Sequence, residues 1–203
     1  MNILIDELPE SVEIEGIEYE INTDFRISML FELMMQDPDI TDEEKVENAL
    51  ELYFPQIPPV EYISETIDVI MDFYSCGKDK LVSNGKSNSK GKAKQIYSFE
   101  SDADYIYAAF LDQYRIDLQD IEYLHWWKFK ALFNALKEDN EIVKIMGYRS
   151  INITNDMSKH EKEFYKKMKE LYKLPDNISK NEKEKINQIE DILMNGGDLE
   201  SIL

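Results

Sequence analysis

The sequence predicts a mainly α protein, a multi-helix globular bundle with a short N-terminal β-hairpin. Three observations lead there. Apolar residues recur at helical spacing from Thr23 onward, Ser/Thr-x-x-acid capping signals precede several of those stripes, and apolar residues alternate with acids on both sides of Gly16 between Val12 and Ile21. Of the 203 residues 43% are apolar, which is enough for a real core in one or two domains.

Val12, Ile14, Ile17, Tyr19 and Ile21 alternate with acids on both sides of Gly16, so residues 1–22 are expected to contain a hairpin with one buried face. Ile27, Leu30, Phe31 and Met34 share a helix face that ends before Pro38. Thr41 with Glu44 makes a capping box ahead of Val46, Ala49, Leu50 and Tyr53. Pro55, Pro58 and Pro59 then separate this helix from the next, which runs from Glu61 with Ile63, Ile67, Ile70 and Tyr74 on one face and stops at Gly77. Residues 77–94 hold six lysines, one aspartate and three glycines, a composition that buries almost nothing and reads as a flexible loop.

Past the loop, Ser101 with Asp104 is expected to open a helix whose stripe is Ala103, Ile106, Tyr107, Phe110, Leu111 and Tyr114. A helix after Asp120 carries Ile121 and Leu124 on one side and Trp126, Phe129, Phe133 and Leu136 on another, the pattern of a central helix. A shorter helix from Glu141 to Met146 ends at Gly147, and Ile151 with Ile153 suggests a brief extended stretch. Ser158 with Glu161 caps a helix expected to bury Phe164, Met168 and Leu171. A last box, Ser179 with Glu182, precedes Ile186, Ile189 and Leu193, and Gly196 and Gly197 end that helix.

Charge narrows the function classes. Against 42 Asp and Glu stand 23 Lys and Arg, a net charge of −19, and residues 1–76 alone carry 20 acids against Arg26 and Lys45. Such a body repels phosphate backbones and anionic lipid surfaces, so neither nucleic acid nor membrane is an expected partner. The opening Met1-Asn2-Ile3-Leu4-Ile5 lacks a basic n-region, and no apolar run approaches the ~18 residues of a membrane span. One cysteine, Cys76, with His125 and His160 supplies neither an internal disulfide nor a recognisable zinc site, and points to a reducing compartment.

No GxxxxGK[ST], GxGxxG, HExxH, GxSxG or CxxC occurs, so an enzyme is not expected, and no catalytic, cofactor or metal residue is assigned. His125 has no catalytic partner identifiable from sequence and reads as a core or boundary histidine. Cys76 sits at a helix C-terminus, the end that does not lower a thiol pKa. Asp37, Asp39, Asp42, Glu43 and Glu44 depart from the EF-hand pattern and read as a solvated helix start. Methionine adapts to varied partner helices, so Met29, Met34, Met35 and Met71, with Trp126 and Trp127, are the candidate partner-binding residues.

Several segments carry a resemblance. Tyr107-Ala108-Ala109-Phe110, Asp117-Leu118, Leu124-His125-Trp126-Trp127-Lys128-Phe129, Ala131-Leu132-Phe133 and Met146-Gly147-Tyr148-Arg149 resemble the recurring pieces of the phage gene-product-fifteen family. The hairpin with Asp24-Phe25-Arg26 resembles the family's opening, and residues 157–176 its closing helix. The resemblance covers residues 1–176 as one helical domain and leaves 177–203 as a C-terminal helical extension. It implies a protein encoded in tail gene clusters of phages and prophages of low-GC Gram-positive bacteria, between the major tail protein and the tape measure protein. Proteins there are commonly tail assembly chaperones acting in the host cytoplasm. The implied partners are the tape measure protein and the tail tube protein, with a homo-oligomer as a further option, and no catalytic residue is carried over. Two alternatives stand beside the chaperone: a minor structural tail component, and an acidic DNA mimic that inhibits a host DNA-binding protein.

Overall fold

Residues 2–77, 95–176 and 179 are described by a computed structural model. The expected loop over 77–94, apart from Gly77, and the expected helix in 177–203, apart from Ser179, lie outside the described residues. Within them the order is β1 (Ser11–Ile14), β2 (Ile17–Glu20), α1 (Phe25–Gln36), α2 (Asp42–Tyr53), a single 3-10 turn (Val60–Tyr62), α3 (Ile63–Tyr74), α4 (Ala103–Tyr114), α5 (Trp126–Asn134), α6 (Glu141–Ser150) and α7 (Lys159–Leu171). The fold is mainly α with a two-stranded antiparallel hairpin at the N-terminus.

The hairpin register pairs Ile14 with Ile17 across Glu15 and Gly16, whose φ values of 48° and 74° are those of a type I′ turn. Gly16 suits that turn because a side chain there is strained. The expected single buried face is partial: Ile14 is fully buried against the helices while Ile17, at the turn, is half exposed. Two of the three expected capping boxes form, Thr41 with Glu44 on α2 and Ser158 with Glu161 on α7, and the third, Ser179 with Glu182, lies outside the described residues apart from Ser179. Helix α3 ends in a Schellman motif in which Gly77 N–H bonds to Asp72 C=O at 2.8 Å and Cys76 N–H to Phe73 C=O at 3.0 Å. Cys76 therefore occupies the left-handed position at φ 60°.

The core is an aromatic column centred on α5. Phe129 stacks nearly parallel on Phe25 at 5.1 Å, on Phe110 at 4.9 Å, on Trp126 at 5.7 Å and on Phe133 at 6.0 Å between ring centroids. Helix α1 brings Phe25, α4 brings Phe110, and α3 adds Tyr74, stacked on Trp126 at 5.5 Å. Helix α6 packs on α4, and α7 packs on α6 at the outside.

Several local expectations are corrected. The central helix begins at Trp126, not after Asp120, because the chain before it stays extended to pair with the start of α1: Phe25 N–H bonds to Leu124 C=O at 2.9 Å and Trp126 N–H to Thr23 C=O at 2.8 Å. Asp102, not Ser101, is the N-cap of α4, and its carboxylate is spent on Arg149 and the Ser98 amide instead of the helix start. Helix α6 runs through Gly147 to Ser150, since the tertiary anchor of Arg149 outweighs the ~1 kcal/mol preference against helical glycine. Residues 151–153 form no strand. On α7, Phe164 is partly exposed and Leu171 is 63% exposed, because the helix packs from one side only. Leu30, expected in the core, is 50% exposed, since the face of α1 that turns inward is Phe25, Ser28, Phe31 and Met34.

Candidate functional site

Two regions concentrate chemistry: the motif-bearing residues around α5 and the open surface of α1.

Around α5 the polar groups are already engaged. His125 is the N-cap of α5: its Nδ1 accepts from the Trp127 amide at 3.0 Å, so the hydrogen lies on Nε2, which donates to Pro9 C=O at 3.1 Å. Burial pushes this imidazole below its ordinary pKa, against the opposing effect of the Pro9 bond. With both nitrogens occupied and the residue 2% exposed, His125 is placed to hold structure. Trp126 Nε1–H donates to Tyr74 C=O and Trp127 Nε1–H to Phe73 C=O, both at 2.8 Å, so the adjacent indoles satisfy two carbonyls of the last turn of α3. Lys130 lies over the Trp126 ring at 5.1 Å.

The other motifs are tied in the same way. Asp24 caps α1 by accepting from Arg26 N–H at 3.0 Å and also accepts from Leu124 N–H at 3.2 Å. Arg26 donates to Leu118 C=O at 3.1 Å and Ile121 C=O at 2.7 Å, fastening the loop that leads to α5. Arg149 and Asp102 form a buried bidentate pair at 2.6 and 2.9 Å, and the same guanidinium reaches Ile96 C=O at 3.0 Å and Tyr172 C=O at 2.6 Å. Under α1, Tyr74 donates to Glu32, and burial holds the Tyr74 and Tyr97 hydroxyls well above the ordinary phenol range.

The surface of α1 differs. A cleft of about 570 Å³ opens between Leu30, Leu33 and Met34 of α1, the 37–39 turn, the irregular stretch 95–101 and residues 174–176. A second hollow of about 440 Å³ lies across the same ridge, lined by Leu30, Met34, Asn48, Glu51 and Leu52. Leu30, Leu33, Met34, Leu52 and Leu174 give the two hollows their aliphatic surface, and Asp37, Asp39, Glu51, Glu100 and Asp176 give them acidic surface; no Lys or Arg belongs to either lining among the described residues. Lys173 meets Asp176 at 2.9 Å. The Arg149–Asp102 pair shapes the cleft from behind, because it fixes Ile96, the Ser98 amide and Tyr172, which lead into two of its walls.

Of the six sequence-derived candidates, Met34 reaches this surface, as a nearly buried wall of both hollows. Trp126 is fully buried, Trp127 and Met29 are partly buried, and Met35 and Met71 are exposed outside the linings. Leu30, which the sequence places on the core face of α1, and Leu52 and Glu100, which it does not single out, belong to this surface. The available signal is that α1 has Leu30 and Leu33 in addition to Phe31 and Met34, more apolar surface than one buried face requires. Among the described residues no group of three or more His, Cys, Asp or Glu is placed to hold a metal ion, and no helix is long and apolar enough to cross a membrane.

Comparison with known proteins adds one positive finding. A family described as Bacteriophage Gp15 protein matches residues 4–174. No curated protein and no solved structure matches.

Proposed function

The chain belongs to the Bacteriophage Gp15 protein family, a phage structural and assembly family, and we propose that within it this protein is a tail assembly chaperone that binds and solubilises the tape measure protein without catalysis. The observation that carries the reading is the half-exposed aliphatic ridge of α1 between two hollows, on a body of net charge −19. A tape measure protein is long, helical and rich in apolar heptads, so its chain aggregates unless covered before the tube forms. An exposed aliphatic ridge such as Leu30 with Leu33 and Leu52 beside it holds an amphipathic helix by its apolar face, and the chaperone's charge keeps the complex dispersed. Polymerising tail tube protein then displaces it in the host cytoplasm by competing for the same face.

Co-expression with the adjacent tape measure protein tests this. The expected result is soluble tape measure protein that co-purifies and stays bound at about 0.5 M salt, where the Debye length is roughly 4 Å and exposed charges are mostly screened. Tape measure protein no more soluble with its partner than alone defeats the reading. Mass spectrometry of purified particles separates it from a retained tail component, which would be present in the particle.

A further inference from the structure

We propose that the paired hollows on α1 select a cationic amphipathic helix, one whose apolar stripe is flanked by Lys or Arg. This deepens the chaperone reading and rests on it for the partner's identity.

The aliphatic and the acidic residues of the linings make separate demands. Leu30 is half exposed on the ridge that divides the hollows, and Leu33 and Leu52 lie to either side. Apolar side chains at i and i+3 or i+4 on one helix are neighbours at about 5–6 Å, so a single helix face can straddle such a ridge and fill both sides. Asp37 and Glu100 line one hollow and Glu51 the other. Glu51 and Glu100 are exposed, and no hydrogen bond or ion pair among the described residues engages either carboxylate. An occupant with acids beside its apolar stripe meets like charge in both hollows, whereas one with Lys or Arg meets opposite charge in both. The groove therefore discriminates by charge among helices that its aliphatic residues alone would accept.

The experiment uses three fluorescein-labelled 18-residue helical peptides: a leucine stripe with lysine flanks, the same stripe with glutamate flanks, and the lysine peptide with its order scrambled. Anisotropy titrations with the full chain should give at least tenfold tighter binding for the ordered lysine peptide than for either other peptide. Glu51→Lys/Glu100→Lys should weaken it at least tenfold, while Asp112→Lys/Glu138→Lys, which makes the same charge change away from the hollows, should weaken it less than threefold. Leu30→Gln should also weaken it tenfold.

Equal binding of the lysine and glutamate peptides overturns the charge selection. Equal weakening by the two charge-reversal variants overturns the location, because it reports attraction to the acidic body as a whole. Binding of the scrambled peptide as tightly as the ordered one overturns the helix. If the peptides fail while the tape measure protein is still solubilised, this inference falls and the chaperone reading stands. The converse result removes the tape measure protein as partner and leaves the groove's selectivity in place.

Discussion

Phe129 on α5 and Leu30 on α1 are large apolar residues on helices that pack together, yet Phe129 is fully buried among four stacked rings and Leu30 is half exposed above two hollows. The same contrast holds for the polar groups. Around α5 the donors of His125, Trp126, Trp127 and Arg26 end on backbone carbonyls from distant parts of the chain. Around α1 the carboxylates of Glu51 and Glu100 face solvent. The difference teaches that the residues by which this chain is recognised are those that fold it. The surface that supports binding is made of ordinary leucines and acids.

Four changes break or sharpen that contrast. Phe129→Ala should have the largest effect, a loss of about 4 kcal/mol, since it removes the ring on which four others stack and leaves a cavity the column cannot close. Urea unfolding followed by circular dichroism measures it, and a loss below ~1 kcal/mol would mean the column is not the core. Arg149→Leu should cost about 3 kcal/mol, because Asp102 is left buried without its cation and the carbonyls of Ile96 and Tyr172 lose their donor. Replacing both partners with leucine should recover part of that loss, which a double-mutant cycle reads directly.

His125→Gln should cost about 1 kcal/mol through the weakened cap of α5. It also predicts a pH dependence. The folded state holds this ring below its unfolded value of about 6.5, so the stability that goes with the neutral ring is complete above that pH. It is lost as pH falls from there toward the folded value, because the unfolded chain takes up the proton first. The gap in urea midpoint between the native protein and the glutamine variant should therefore be wider at pH 7.5 than at pH 5.5. The smallest stability effect belongs to Leu30→Gln, within about 0.5 kcal/mol, since the side chain is already half in water.

The helical class, the capping boxes of α2 and α7 and the hairpin around Gly16 are legible because each depends on residues within four positions of one another. The start of α5 is not, because Leu124 and His125 read as helix by periodicity but are held extended by Thr23 and Phe25, about a hundred positions earlier in the chain. Gly147 misled for a related reason: the distant Asp102 holds the segment helical through Arg149. Of the candidate site, methionine content pointed to α1 through Met34, but periodicity placed Leu30 in the core. Which side of an all-round apolar helix faces inward is decided by its neighbours, here Phe129 drawing in Phe25 and Tyr53 holding Ser28 at 2.9 Å.

The central claim is that the α1 surface holds the partner while the tryptophan pair holds the fold. The most direct test compares two variants expected to stay folded, Leu30→Gln and Trp127→Phe, each co-expressed with the tape measure protein, reading the soluble fraction of that partner after checking that each variant's own melting curve is intact. The account predicts that Leu30→Gln loses most of the solubilising effect and that Trp127→Phe keeps it. Loss with Trp127→Phe and retention with Leu30→Gln would contradict it and move the binding surface to α5.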